Sequence, residues 1–248
     1  MPTIYSSSSG TEDDGYVSID SQSSWANARD ATSGSYVTDA LTNTNNFTRV
    51  SRSNTRGGGI AYGVSRSFLV FDTSGITATV ASATLSIRGV GANDGSVIAV
   101  KSTAFGGDGG TSLASGDFNA ISGYSSGSSL AGSATIYGPQ ILTTSWSTSG
   151  YNDFTATSDL LTDMQNNNVV IICFMDYTND YLNSALTSNA YLNCGAYYTE
   201  YSGTSRDPKI DYTLAVTGYA NDVNGVASAN IGKVNGVATA SINKVNGI

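Results

Sequence analysis

Seven aromatic residues in the second half of the chain are of a type that can do recognition chemistry: Trp146, Tyr151, Tyr177, Tyr181, Tyr197, Tyr198 and Tyr201. A flat ring stacks on the apolar face of a pyranose while neighbouring Asp and Asn bond its hydroxyls, so these seven form a candidate glycan platform. The competing reading is that Tyr is a good strand residue and that half of them pack inside a sheet. Asp176, Asn179 and Asp180, with Asn183 beyond, bring hard oxygen ligands close together as calcium requires. That loop lacks the fixed register and closing Glu of an EF-hand, so a solvated turn is expected there. The pairs Asp13-Asp14 and Asp207-Asp211 carry the group types of glycosidase chemistry, but sequence does not place two carboxyls across a bond. Gly106-Gly107-Asp108-Gly109-Gly110 has the glycines of a phosphate cradle without a following Gly-Lys-Ser/Thr, and reads as a loop.

The chain has no histidine. That removes the commonest general base, the Ser-His-Asp triad and the usual zinc ligand. The expectation is therefore a protein that is not an enzyme and needs no cofactor, with calcium as the one weak candidate. Of 11 Lys and Arg and 19 Asp and Glu, residues 1–212 carry 9 and 18, and the remainder 2 and 1. An acidic body argues against nucleic acid, whose binding is driven by cations on phosphate.

A second kind of chemistry lies at the C-terminal end. Val223-Asn224-Gly225-Val226-Ala227 returns as Val234-Asn235-Gly236-Val237-Ala238 and again as Val245-Asn246-Gly247-Ile248, a period of 11 residues. Asn-Gly is the preferred centre of a type I′ turn, since both positions need positive φ. One reading of residues 219–248 is thus a meander of weak hairpins. Another is a three-sided fibre, because Ile231, Val234 and Val237, like Ile242, Val245 and Ile248, are spaced by three. Each unit holds two or three aliphatic side chains, too few to order the segment by itself. The tail is expected to order against a partner, by strand addition or by lying in a groove.

The elements that must position these groups are short strands. Charged residues are 12 % of the chain, about half the usual share, whereas Gly (28) and Tyr (15) are abundant and Pro (3) is scarce. Two cysteines, Cys173 and Cys194, do not make a disulfide framework; they read as buried thiols or a single bridge. The first residues show neither a basic nor an apolar export region, and no apolar run reaches membrane-spanning length, so neither Sec export nor membrane insertion is expected. Arg66–Asp72 is apolar on both faces and reads as a central strand, Ala83–Val90 alternates with period two, and Val169–Met175 reads as a fully buried strand. Ala196–Tyr201 and Lys209–Leu214 read as the last two. One helix is predicted over 158–166, with Ser158 as its N-cap and Leu160, Leu161 and Met164 on one face. The sum is an all-β fold, an antiparallel β-sandwich of jelly-roll type with one short helix over residues 1–214, a linker at 215–218, and the repeat tail at 219–248.

Several of these landmarks resemble a known family. Asp14-Gly15-Tyr16-Val17, the Trp25–Arg29 patch, Arg66-Ser67-Phe68-Leu69-Val70-Phe71-Asp72-Thr73-Ser74, Ala83-Thr84-Leu85, the region of Trp146 and Tyr151, and Tyr197-Tyr198 before Thr204-Ser205-Arg206-Asp207-Pro208-Lys209-Ile210 are similar in order and spacing to the DNRLRE-type β-sandwich domains. Those domains look like carbohydrate-binding modules of surface and phage-encoded proteins. The repeat tail is similar to terminal repeats in structural proteins of tailed bacteriophages. Together the resemblances imply a virion surface protein, such as a capsid decoration, head fibre or tail-associated protein, docked on other virion proteins or on its own copies through the tail. The alternative they imply is a glycan-binding adhesin of a cell or virion surface.

Overall fold

The structure is a computed structural model, and it describes residues 1–6, 14–39, 42–215, 232–234 and 237–238. The chain divides into two units, Met1–Thr213 and Leu214–Ile248. The first is all-β and antiparallel, with strands β1 (Thr3–Tyr5), β2 (Asp14–Gln22), β3 (Tyr36–Asp39), β4 (Asn43–Asn54), β5 (Ile60–Asp72), β6 (Val80–Asn93), β7 (Ser96–Lys101), β8 (Ile136–Leu142), β9 (Tyr151–Thr155), β10 (Val169–Met175), β11 (Ala190–Tyr197) and β12 (Lys209–Leu214). The main path runs β1-β12-β6-β11-β4-β5-β10-β7-β8, with β2 on the other edge of β5, β3 beside β2, and β9 beside β6. Neighbours distant in sequence, such as β5 with β10 and β6 with β11, belong to the jelly-roll kind of sandwich.

The central strands explain the architecture. On β5, Leu69 and Phe71 face a first core while Val64, Phe68 and Val70 face a second. Val170, Ile172 and Phe174 of β10, with Val97 and Ala99 of β7, join the first; Ile171, Cys173 and Met175, with Ile98 and Val100, join the second. Side chains alternate across a strand, so a strand buried on both faces must be apolar at both parities. This is why Arg66–Asp72 and Val169–Met175 read as central strands.

The first core is closed by Leu85 and Ile87 of β6, Phe154 of β9, Ile210 of β12 and a helix, α2 (Ser158–Asn166), which contributes Leu160 and Met164. Thr157, not Ser158, caps that helix, its hydroxyl accepting from the Leu160 amide at 3.4 Å. The second core is closed by irregular chain. Ala104, Phe105, Leu113, Phe118, Ile121 and Leu130, Ala28 of a five-residue helix α1 (Trp25–Arg29), and Tyr181 form its lid. The irregular chain between β7 and β8 thus packs part of its length on the second core. Cys173 and Cys194 are buried free thiols that lie in different cores, and burial pushes the Cys194 thiol up to about 12. The strand read as Ala196–Tyr201 is in fact Ala190–Tyr197, ending where the chain turns at Tyr198.

In the second unit, β13 (Lys233–Val234) and β14 (Val237–Ala238) pair antiparallel, Lys233 with Ala238 and Val234 with Val237. Val237 is half exposed. The remaining tail residues named above, Val223, Asn224, Gly225, Val226, Ile231, Asn235, Gly236, Ile242, Val245, Asn246, Gly247 and Ile248, lie outside the described residues.

Candidate functional site

The seven aromatics do not share a surface. Trp146, Tyr181 and Tyr198 are core residues: Trp146 packs near Phe47, Tyr181 stacks on Tyr177 at 5.7 Å, and the Tyr198 hydroxyl lies 2.6 Å from Ser67 Oγ. The platform expectation fails for a simple reason. Tyr197 and Tyr198 are consecutive at a strand end, so they point to opposite faces, and only Tyr197 turns outward.

What does form on the surface is smaller and cationic. Arg206 lies over Tyr197 (4.7 Å) and Tyr201 (4.2 Å), which meet edge to face at 5.3 Å, and its Nη1 donates to the Tyr197 hydroxyl at 2.6 Å. Next along the chain, Tyr151 donates to the Asp207 carbonyl (3.1 Å) beneath Lys209 Nζ (5.2 Å) and the Arg88 guanidinium (5.9 Å). Three of the nine cations of residues 1–212 therefore gather around three tyrosines on an acidic protein.

The calcium candidate is used up internally. Asp176 Oδ1 accepts from the Asn179 amide (2.7 Å), and its Oδ2 from the Ser96 amide (3.0 Å) and hydroxyl (2.8 Å). Asp180 takes both oxygens to Arg66, at 2.7 Å each, and Asn179 Nδ2 donates to the Ser184 carbonyl. The expected solvated turn is instead a buried one-turn π-helix, Tyr177–Tyr181, held down by these bonds. Its carboxylates are spent on protein donors.

Sequence missed a different group of acids. Asp14 opens β2 and is fully buried; its Oδ2 accepts from the Thr199 amide (2.9 Å) and hydroxyl (2.8 Å). Its Oδ1, Glu200 Oε2 and Asp207 Oδ1 are buried without a hydrogen-bond donor. Burial pushes the Asp14 carboxyl up to about 8, opposed by the Thr199 bonds and aided by the charge of Glu200. Burial likewise raises Glu200, and burial followed by Glu200 raises Asp207 to about 6. Positions 14, 200 and 207 come together only because β2 and the turn after β11 meet, which no local spacing reveals. Asp211, the expected partner of Asp207, is bonded instead to Lys209 and Thr3. Asp13 lies outside the described residues.

Asp207 makes a measurable prediction. A carboxyl held above its ordinary pKa favours the protonated folded state, so its contribution is whole below about pH 4 and lost as pH rises to about 6. Asp207→Asn removes the penalty. Urea unfolding at pH 8 should show a gain of about 1–3 kcal/mol, with none at pH 3. A gain equal at both pH values would show that ionisation is not its source.

A cleft of about 680 Å³ lies between the end of β7 and the end of α2, lined by Lys101, Thr103, Asp108 and Asn166–Asn168. Lys101 is tied to Asp163 at 2.8 Å, and Tyr137 donates to the same carboxylate. The Gly106–Gly110 loop borders it, with φ of 76°, 85° and 74° at Gly106, Gly107 and Gly109, backbone that only glycine adopts without strain. The cleft is polar and open, without an aromatic wall exposed to a ligand. No family model matches this chain, and no curated protein does.

Proposed function

We propose that this protein is a structural component of a bacteriophage virion, a β-sandwich displayed on the particle and attached through residues 219–248. The observation that carries the reading is the antiparallel pairing within the second repeat. Val234 pairs with Val237, and the same Val-Asn-Gly phrase stands one period earlier and one later. A two-stranded ribbon of two-residue strands has little apolar area of its own and gains it by adding to other strands. The partners are other virion proteins or further copies of this chain, and the site of action is the virion surface. The sandwich, with two closed cores, is a self-sufficient body for such a repeat to tether.

Deleting residues 219–248 tests this. The truncated chain should keep the circular dichroism spectrum of the sandwich and disappear from purified particles. Truncated protein recovered in particles at the full-length amount would end the anchoring reading.

A second reading is a glycan-binding adhesin, to which the likeness to DNRLRE-type domains belongs. It is favoured by the Tyr151, Tyr197 and Tyr201 rings with Arg206 and Lys209, which suit an anionic saccharide better than a neutral one. Arg206→Ala should then abolish glycan-array binding, and no binding by the unaltered protein at millimolar sugar would exclude it.

A further inference from the structure

We propose that Asp14 and Glu200 form a proton-sharing latch that fastens residues 198–208 to β2 in mild acid and releases them as pH rises. The geometry comes first. Asp14 is the first residue of β2, fully buried, and bound through one oxygen to both the amide and the hydroxyl of Thr199. The other Asp14 oxygen and Glu200 Oε2 are buried and find no donor among the described residues. Carboxylates only accept hydrogen bonds, and Asp14 holds Thr199, the residue next to Glu200, so the two unpartnered oxygens of these neighbours call for a shared proton. Asp207, at the far end of the same segment, has an unpartnered oxygen too, and the charge of Glu200 acts on it.

Among the described residues, no cation acts on the pair. The titratable groups facing the pair are Tyr16 on β2, Asp39 on β3 opposite Gly15, and Tyr198 and Asp207 on the segment itself; β5 contributes Ser67, bonded to Tyr198. Ionising both carboxyls places two like charges together in a dry site. Protonation holds Thr199 and Glu200 down and, with them, the segment that carries Tyr201 and Arg206 against Tyr197. The latch thereby couples pH to the aromatic and cationic surface of the sandwich. It does not depend on which function that surface serves.

Its sign and window follow from linkage. The closed segment keeps a proton that the open one releases, so opening becomes about tenfold more favourable per pH unit from about pH 5 to about 8 and then levels off. Hydrogen exchange at the Thr199 amide, corrected for the intrinsic rate, reads this directly in the full-length protein. Protection should fall by about three decades across that range while amides of β5 and β10 keep theirs. Asp14→Asn retains an oxygen for Thr199 and supplies an N–H for Glu200, so its Thr199 protection should be flat over the same range. Glu200→Gln should behave alike, and serves if the first variant does not fold. The ¹³C shift of the Asp14 carboxyl provides a third reading, with a midpoint near 8 expected in the unaltered protein. Protection independent of pH in the unaltered chain, an equal fall in both variants, or an Asp14 midpoint in the ordinary carboxyl range would each overturn the latch.

Discussion

Arg66→Met lowers the stability of the sandwich by about 3–5 kcal/mol, the cost of leaving a buried charge without its partner. Arg66 sits on β5 at the parity of Val64, Phe68 and Val70, and therefore points into the second core. All five of its donors are used. Nε and Nη2 reach the two Asp180 oxygens at 2.7 Å, Nη2 also the Arg29 carbonyl at 3.0 Å, and Nη1 the Phe118 carbonyl at 2.8 Å and Asn119 Oδ1 at 2.5 Å. The guanidinium also lies 4.2 Å from the Phe118 ring centre. One side chain on a central strand thus ties together α1, the irregular layer at 118–119 and the turn at 177–181. Removing it takes both hydrogen bonds from Asp180, which is fully buried and keeps only Arg29 Nε at 3.6 Å, and frees three carbonyl or amide acceptors besides. Arg66→Lys should recover little, because an ammonium cannot serve a bidentate carboxylate and three further acceptors at once. The double change Arg66→Met with Asp180→Leu should cost less than the sum of the single ones, as members of one network do not add. Urea titrations with unchanged slope measure all three. A loss below about 1 kcal/mol for Arg66→Met would show that water rescues Asp180.

Phe174→Ala should cost about as much, roughly 3–5 kcal/mol, by a different mechanism. Phe174 is fully buried in the first core, with ring centroids 5.0 Å from Phe47 and 5.9 Å from Phe154. β10 is hydrogen-bonded on both edges, to β5 and to β7, so its backbone cannot sink into the space the ring leaves. The cavity persists and its lining loses dispersion contacts. Thermal unfolding should move down by about 2–4 °C for each kcal/mol lost in a domain of this size. A loss near 1 kcal/mol would mean that the two sheets close over the gap.

How far these sites were legible varies with the range of the interactions that make them. The doubly apolar runs Arg66–Asp72 and Val169–Met175 announced central strands because alternation is a property of the backbone itself. The helix at 158–166 was legible in the spacing of Leu160 and Met164, and only its cap was misplaced by one residue. Arg66 stood in plain view inside an apolar run, but its role depends on Asp180, 114 positions away. Tyr197 and Tyr198 were counted together as binding aromatics although adjacent strand residues must part company, an error the alternation rule already contained. Nothing local could have joined Asp14 to Glu200.

The sequence by itself determined the all-β class, the central strands, the long helix and the 11-residue repeat, since each rests on periodicity along the chain. Tertiary structure alone decided that Phe105, Leu113, Phe118, Ile121 and Leu130 close a second core, that Asp176 and Asp180 are bonded within the fold, and that Asp14 meets Thr199. Those outcomes depend on which strand edges pair, and pairing brings together residues whose separation in sequence carries no information about their distance in space.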